Sequence, residues 1–180
     1  TSIQALEETM AILSIEAFER GVEVLHNAKH IDLFGIGGSA QIAKDVAHKF
    51  LKIGIKVSVY DDSHMMLMAA SICDDASVVI AISHSGYTID VIEPLQLAKK
   101  NGAKTIVITN YATSPIVQYA DIVLNSTSQG SPLLGENAAS RVAQLNILDA
   151  LYVAVAQRDL KRSENNLNKT RMAVEGKRLK

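Results

Sequence analysis

Three hydroxyl side chains lie within one six-residue segment, residues 83–88 (SHSGYT), which we call the serine loop. Ser83, Ser85 and Thr88 surround Gly86, and the segment follows an apolar run at residues 78–82 that has the pattern of a buried strand. A helical pattern begins at residue 88, so the N–H groups of the helix start and the hydroxyls would point at one place. One helix cap would explain one hydroxyl but not three. The serine loop therefore predicts a site for a compact anion, above all a phosphate.

A second loop of small residues, residues 35–40 (GIGGSA), also follows an apolar run and opens a helical pattern; we call it the glycine loop. Gly38 and Ser39 would present N–H groups and a hydroxyl at the positive end of that helix. The loop also fits the loose dinucleotide fingerprint, with Asp61 or Asp62 placed to bind a ribose. The serine loop favours a small phosphorylated molecule over a dinucleotide, because a nicotinamide-binding domain has no need of hydroxyls there.

Neither loop contains Lys or Arg, and the P-loop pattern is absent, which argues against hydrolysis of nucleoside triphosphates. The carboxylate of Glu136 follows Gly135 at the mouth of the last long helix. It could bond sugar hydroxyls or act as a base, or it could be a favourable charge in a first helical turn. No His, Cys, Asp and Glu residues have metal-ligand spacing, so neither a metal nor another cofactor is expected.

Strand and helix patterns alternate along the chain, which predicts a parallel sheet covered on both faces. The predicted strands cover residues 31–35, 56–60, 77–82, 104–109 and 121–124. The predicted helices cover residues 3–27, 39–53, 63–72, 88–100 and 136–157, with a short turn or helix near 114–119. We expect a three-layer α/β/α fold with a five-stranded flavodoxin-like sheet of order 2-1-3-4-5, which places the glycine and serine loops side by side.

The bulk composition suits one domain over residues 1–180, with an N-terminal helix at 1–28, a core at 30–158 and a basic C-terminal helix at 160–180. No apolar run is long enough to span a bilayer, and the single cysteine, Cys73, predicts a reducing cytoplasm. The net charge of −1 gives no general attraction to nucleic acid. Residues 161–180 hold seven Lys or Arg against two Glu, which indicates a solvated helix or a contact with a partner.

Three motifs together resemble the sugar isomerase (SIS) domain: the glycine loop, the serine loop and the end of the fourth strand at residues 108–110 (ITN). The resemblance implies phosphate binding by Ser39, Ser83, Ser85 and Thr88. It also implies backbone contacts from His84 and Gly86 of the serine loop, and it places Gly38 of the glycine loop in the same binding site. It further implies contacts of Glu136 with sugar hydroxyls.

Further stretches resemble the ligand-binding half of RpiR-type transcriptional regulators: residues 62–64 (DSH), 140–145 (SRVAQL), 148–151 (LDAL) and 168–171 (NKTR). That resemblance implies a homodimer or homotetramer, and DNA binding only through a helix-turn-helix domain that precedes the SIS domain. No such domain is visible here, so the chain is expected to be a fragment of a regulator.

The expected function is therefore effector binding: the domain senses a phosphorylated sugar (a hexose, amino-sugar or sugar-acid phosphate) and controls the absent DNA-binding domain. One alternative is a sugar-phosphate isomerase or lyase that uses Glu136 as its base. A dinucleotide-binding or purely structural module is a further alternative.

Overall fold

The computed structural model describes residues 1–128 and 138–177, and its centre is a five-stranded parallel sheet of order β2-β1-β3-β4-β5. The strands are β1 (His30–Phe34), β2 (Lys56–Tyr60), β3 (Val78–Ile82), β4 (Lys104–Thr109) and β5 (Ile122–Asn125). The predicted fold class and strand order are confirmed. Because β1 and β3 are neighbours and both are parallel, the loops that follow them meet at the same edge of the sheet.

Seven helices and one short 3-10 helix surround the sheet in the described part of the chain. They are α1 (Ser2–Ile12), α2 (Ile15–Asn27), α3 (Gly38–Lys52), α4 (Ser63–Ser71), α5 (Ile89–Lys100), α6 (Ala138–Arg158) and α7 (Leu160–Glu175), with the 3-10 helix at Pro115–Tyr119. The core has two parts, one on each face of the sheet. Buried residues of α2, α3 and α6 cover one face, and those of α4, α5 and the 3-10 helix cover the other.

The alternation of side chains in β3 shows how the two parts divide the sheet. Every residue of β3 is buried. Ile80 and Ile82 belong to the core under α3 and α6, whereas Val79 and Ala81 belong to the core under α4 and α5. A strand that is buried on both faces reads as a continuous apolar run, which is why the sequence pattern identified this central strand.

The single long helix predicted over residues 3–27 is wrong, because the structure divides it into α1 and α2. Leu13 is extended, and the Ser14 side chain caps α2 by accepting a hydrogen bond from the Ala17 N–H at 3.1 Å. The buried Thr9 hydroxyl accepts from the Thr127 N–H at 3.0 Å and donates to the Thr127 carbonyl at 3.1 Å. This contact ties α1 to the segment after β5.

The other predicted elements differ from the observed ones by one or two residues at their ends, except the basic C-terminal helix predicted over residues 160–180. That helix is α7, which ends at Glu175. Cys73 lies beyond the end of α4; burial raises the pKa of its thiol, which makes it a poor nucleophile. The described α6 begins at Ala138, so the predicted helix start at Glu136 lies outside the described residues. Within residues 1–128 and 138–177, no helix combines the length and apolarity needed to cross a membrane.

Candidate functional site

A cavity of about 270 Å³ lies where the chain leaves β1 and β3. Its walls include four of the predicted hydroxyl residues and the predicted histidine. It is lined by Ile36, Ser39, Ile82, Ser83, His84, Ser85, Thr88 and Val91. Residues more than 40 positions apart in the sequence thus share one small space. None of the described residues that line the cavity is Lys, Arg, Asp or Glu, so the donors that these residues offer are hydroxyl groups and backbone N–H groups.

The glycine loop brings the start of α3 to the cavity. Gly37 is the N-cap residue of α3 and has a φ of 62°. Because it has no side chain, the start of α3 has no side-chain capping hydrogen bond. Gly38 is the first residue of α3, and the side chain of Ser39 is buried against the cavity. Because the first N–H groups of a helix have no partners within that helix, the start of α3 offers donors and a partial positive charge.

The serine loop supplies three hydroxyls, and capping of α5 explains none of them. The Ser83 hydroxyl accepts a hydrogen bond from the Gly86 N–H at 3.1 Å, and the Ser85 hydroxyl accepts one from the Tyr87 N–H at 3.1 Å. Thr88 occupies the N-cap position of α5, but its side chain makes no capping hydrogen bond. A serine hydroxyl that accepts from an N–H keeps its own proton as a donor. The loop geometry therefore leaves hydroxyl donors for a ligand.

Strand β4 and its continuation hold the serine loop in place. The Ser83 N–H donates to the Ile108 carbonyl at 3.0 Å, and the His84 carbonyl accepts from the Asn110 N–H at 3.0 Å. These bonds continue the pairing of β3 with β4 beyond the end of β3. The ring of His84 packs edge-on against Tyr111, with the ring centroids 5.9 Å apart. The loop is thus positioned by the sheet.

Gly86 is required by its backbone conformation and by its neighbours. Its φ is +71°, and a Cβ atom at this position would lie 2.0 Å from the hydroxyl oxygen of Ser114. The Gly86 carbonyl also accepts from the Ile116 N–H at 3.1 Å. Ser114 and Ile116 therefore pack against Gly86 and help to fix the position of the serine loop. The sequence marked Ser114 only as a helix start, and nothing local connects it to the serine loop.

The two aspartates considered for a ribose have other partners. Lys44 binds Asp61 at 2.9 Å, and this hydrogen bond lowers the pKa of the carboxyl. Asp62 caps α4 by accepting from the Met65 N–H at 3.0 Å. Neither side chain lines the cavity.

The predicted residue Glu136 lies outside the described residues. The predicted residues Gly38 and Gly86 are not among the residues that line the cavity. As glycines have no side chain, any part they take in binding is through the backbone. In the part of the chain that the structure describes, no cluster of three His, Cys, Asp or Glu residues could hold a metal ion.

Comparison with known proteins identifies relatives of the whole chain. The protein-family model of the SIS domain matches residues 24–154. The HTH-type transcriptional regulator RpiR of Escherichia coli K12 is 41% identical over 174 residues, which are 97% of this chain and 59% of that protein. The chain therefore spans about three fifths of the length of this curated relative.

Two solved structures have the same fold and cover nearly the whole chain. The Vibrio vulnificus NanR protein complexed with ManNAc-6P has a TM-score of 0.94 at 26% identity; the match covers 99% of this chain and 67% of that one. The sugar isomerase domain of the RpiR transcription factor from Sphaerobacter thermophilus has a TM-score of 0.85 at 25% identity, covering 94% and 93% of the two chains.

Proposed function

Because the chain belongs to the SIS domain family and its relatives include HTH-type regulators, we propose that it is the effector-binding domain of an RpiR-type transcriptional regulator whose effector is a phosphorylated sugar. The observation that carries the proposal is the convergence of Ser39, Ser83, Ser85 and Thr88 on one cavity. The likeness to NanR, a structure that contains ManNAc-6P, supports the same ligand class.

The phosphate is recognised by neutral donors in this proposal. The hydroxyls of Ser39, Ser83, Ser85 and Thr88 donate to phosphate oxygens, and the positive end of α3 adds N–H groups. Gly38, His84 and Gly86 take part through the backbone, and Glu136 contacts sugar hydroxyls.

The DNA contact belongs to a helix-turn-helix part of the whole protein, outside the domain described here. The regulator acts in the cytoplasm as a homodimer or homotetramer. Sugar-phosphate binding changes how the subunits are arranged and so repositions the DNA-binding parts. Such coupling requires that the ligand bind one arrangement more tightly than the other.

The domain binds its ligand without converting it. Isomerisation through an enediol needs a base near the first two carbons and a group that opens the sugar ring. Among the described residues that line the cavity, His84 carries the only imidazole, and none carries a carboxylate or an amine. The competing function is a sugar-phosphate isomerase or lyase with Glu136 as base. Turnover of hexose and amino-sugar phosphates that is abolished by Glu136→Gln would establish the enzyme instead.

Calorimetric titration of the chain tests the binding site. Inorganic phosphate, glucose 6-phosphate and ManNAc-6P serve as probes for the unchanged chain and for the variants Ser39→Ala and Thr88→Val. Each variant is expected to weaken binding by about 1–3 kcal/mol, or roughly 5- to 150-fold, because it removes one hydrogen bond to a charged group.

A matched control distinguishes this loss from general destabilisation. Ser14→Ala removes the capping hydroxyl of α2, which does not line the cavity, and should lower stability without changing affinity. If the unchanged chain binds none of the probes, or if Ser39→Ala and Thr88→Val bind as tightly as the unchanged chain, the proposed site is wrong.

A further inference from the structure

The amide of Gln144 is a buried polar group in the described part of the chain. Gln144 lies on α6 and is fully buried, yet neither its Nε2 nor its Oε1 atom has a partner among the described residues. The Ser126 hydroxyl, just beyond β5, is also fully buried and has no hydrogen-bond partner among residues 1–128 and 138–177. Buried amides and hydroxyls lose their bonds to water on folding, so native proteins nearly always supply them with partners. An unpartnered buried group of this kind points to a molecule that binds beside it.

Both side chains face the space between the sheet and α6. Ile122 and Leu124 of β5 point into the core under α3 and α6, and Ser126 continues this alternation on the same face. Gln144 belongs to the buried face of α6, one turn before Ile147, which is part of the same core. The two polar groups therefore belong to the same layer, at the end of α6 nearer its first residue.

This polar region begins at the edge of the sheet that carries the phosphate cavity. The Ser83 N–H bonds the Ile108 carbonyl, and the Ser126 N–H bonds the Thr109 carbonyl, both at 3.0 Å, so Ser83 and Ser126 extend β3 and β5 at nearly the same level. β4 lies between them, which makes the separation two strand spacings, or about 10 Å. Ile82 lines the cavity and faces the α3 and α6 layer.

A phosphosugar can span that separation with its phosphate at the serine loop. Its sugar end carries hydroxyls, each of which donates one hydrogen bond and accepts others. The Gln144 amide donates through Nε2 and accepts through Oε1, so it matches two neighbouring hydroxyls, or a hydroxyl beside an acylamino group. Inorganic phosphate would fill the cavity and leave these partners unused.

We propose that Gln144 and Ser126 bind the sugar end of the ligand and determine which phosphosugar binds. This inference rests on the proposed function, since it assumes that a phosphate occupies the cavity. The ligand class is a phosphosugar whose hydroxyl or acylamino groups lie at the end remote from the phosphate. Gln144 and Ser126 act in selectivity, whereas the serine loop acts in phosphate affinity.

The variant Gln144→Met removes the amide and keeps the length of the side chain. The matched control is Gln157→Met, the same change at an exposed position of the same helix. Ser126→Ala is a second variant that adds no volume. Calorimetry with inorganic phosphate, glucose 6-phosphate and ManNAc-6P gives the affinities, and thermal unfolding without ligand reports stability.

Gln144→Met should bind inorganic phosphate as the unchanged chain does, and should bind the preferred sugar phosphate at least tenfold more weakly. Its unfolding temperature without ligand should be equal or higher, because an unpartnered buried group has been removed. Ser126→Ala should show the same selective loss, and Gln157→Met should change nothing. A merely structural glutamine would lower stability and the affinities for all probes together.

Two results overturn the inference and leave the phosphate site standing: sugar-phosphate affinity that both variants retain within twofold, or equal losses for phosphate and sugar phosphate. If Gln144→Met does not fold, Ser126→Ala decides between the outcomes. If the unchanged chain binds inorganic phosphate but no sugar phosphate, or binds neither, the proposed function itself fails and the inference fails with it.

Discussion

Replacement of Gly86 by alanine tests whether phosphate binding depends on the position of the serine loop. The φ of Gly86 is +71°, in the left-handed region that costs a residue with a Cβ about 1–2 kcal/mol. The new Cβ would also lie 2.0 Å from the hydroxyl oxygen and 2.5 Å from the Cβ of Ser114. A rotation of the Ser114 side chain cannot relieve the second contact, so the loop backbone has to move.

The structure sets the expected size of the effect. Ser114 is buried, and its hydroxyl donates to the Tyr111 carbonyl at 2.7 Å. Displacement of Ser114 gives up this buried hydrogen bond, which costs about 1–3 kcal/mol. With the backbone penalty, Gly86→Ala should lower the free energy of unfolding by about 2–5 kcal/mol. Because the Ser83 and Ser85 hydroxyls move with the loop, the affinity for inorganic phosphate should fall more than tenfold, which is a loss of more than about 1.4 kcal/mol of binding free energy.

Urea unfolding and calorimetric titration with inorganic phosphate measure the two effects. Gly102→Ala is the control, because Gly102 has a φ of +100° but its nearest neighbour would be 3.3 Å from the new Cβ. Gly102 lies between α5 and β4, at the edge of the sheet away from the cavity. The Gly102→Ala chain should lose about 1–2 kcal/mol of unfolding free energy and should bind inorganic phosphate as tightly as the unchanged chain.

A Gly86→Ala chain that unfolds at the same urea concentration as Gly102→Ala and binds phosphate as the unchanged chain does would refute this reasoning. A further variant, Ser114→Gly in the Gly86→Ala background, removes the colliding side chain. It should recover phosphate affinity more fully than stability, because the left-handed backbone penalty remains.

Three further predictions concern pH and long-range contacts. Burial opposes ionisation of Asp121, but its hydrogen bonds to Lys99 and to the Thr105 N–H lower its pKa overall. Its contribution to stability is therefore present above the ordinary aspartate pKa of 3.8 and is lost as the pH falls through the lowered pKa. In urea unfolding at several pH values, Asp121→Asn should weaken this loss of stability at low pH. A loss of stability at low pH that is the same in the variant would contradict the assignment. Thr9→Val should lower the free energy of unfolding by about 1–3 kcal/mol, because it removes both hydrogen bonds to Thr127. A loss below about 0.5 kcal/mol would show that these hydrogen bonds do not hold α1 in place. The affinity for a phosphate monoester should fall as the pH drops below about 6, because the phosphate dianion takes up a proton there. The uncharged donors of the cavity bind the resulting monoanion less strongly. Constant affinity across this pH range in calorimetry would point to recognition of the monoanion.

Several features were predictable because they depend on local patterns. The apolar run of β3 identified a strand buried on both faces. The rule of right-handed connections favoured a doubly wound sheet, and the flavodoxin-like strand order expected for it is the observed one. The hydroxyls of the serine loop stood out because Ser, Gly and Thr rarely gather at a strand end without a reason in binding or capping. The approach of Ser39 to Ser83 followed from the parallel order of β1 and β3.

Other features depend on residues that are far apart in the sequence. The break between α1 and α2 has no Gly or Pro to mark it, and Thr9 meets Thr127 across 118 positions. No helical pattern shows that a Cβ on Gly86 would meet Ser114. The motif at residues 140–145 indicated a family, but it did not show that the Gln144 amide is buried and lacks a partner within the described part of the chain.

The sequence by itself determined the order of strands and helices from β1 onward, the two loops at strand ends and the chemical class of their donors. These follow from side-chain periodicity, glycine conformation and the types of residue in each loop. Only the tertiary structure decided that Thr88 leaves α5 uncapped, that Ser114 supports Gly86 and that Gln144 lies buried in the layer of Ser126. The physical reason is that hydrogen-bond satisfaction and steric contact are properties of neighbours in space, and the neighbours that matter here come from different elements.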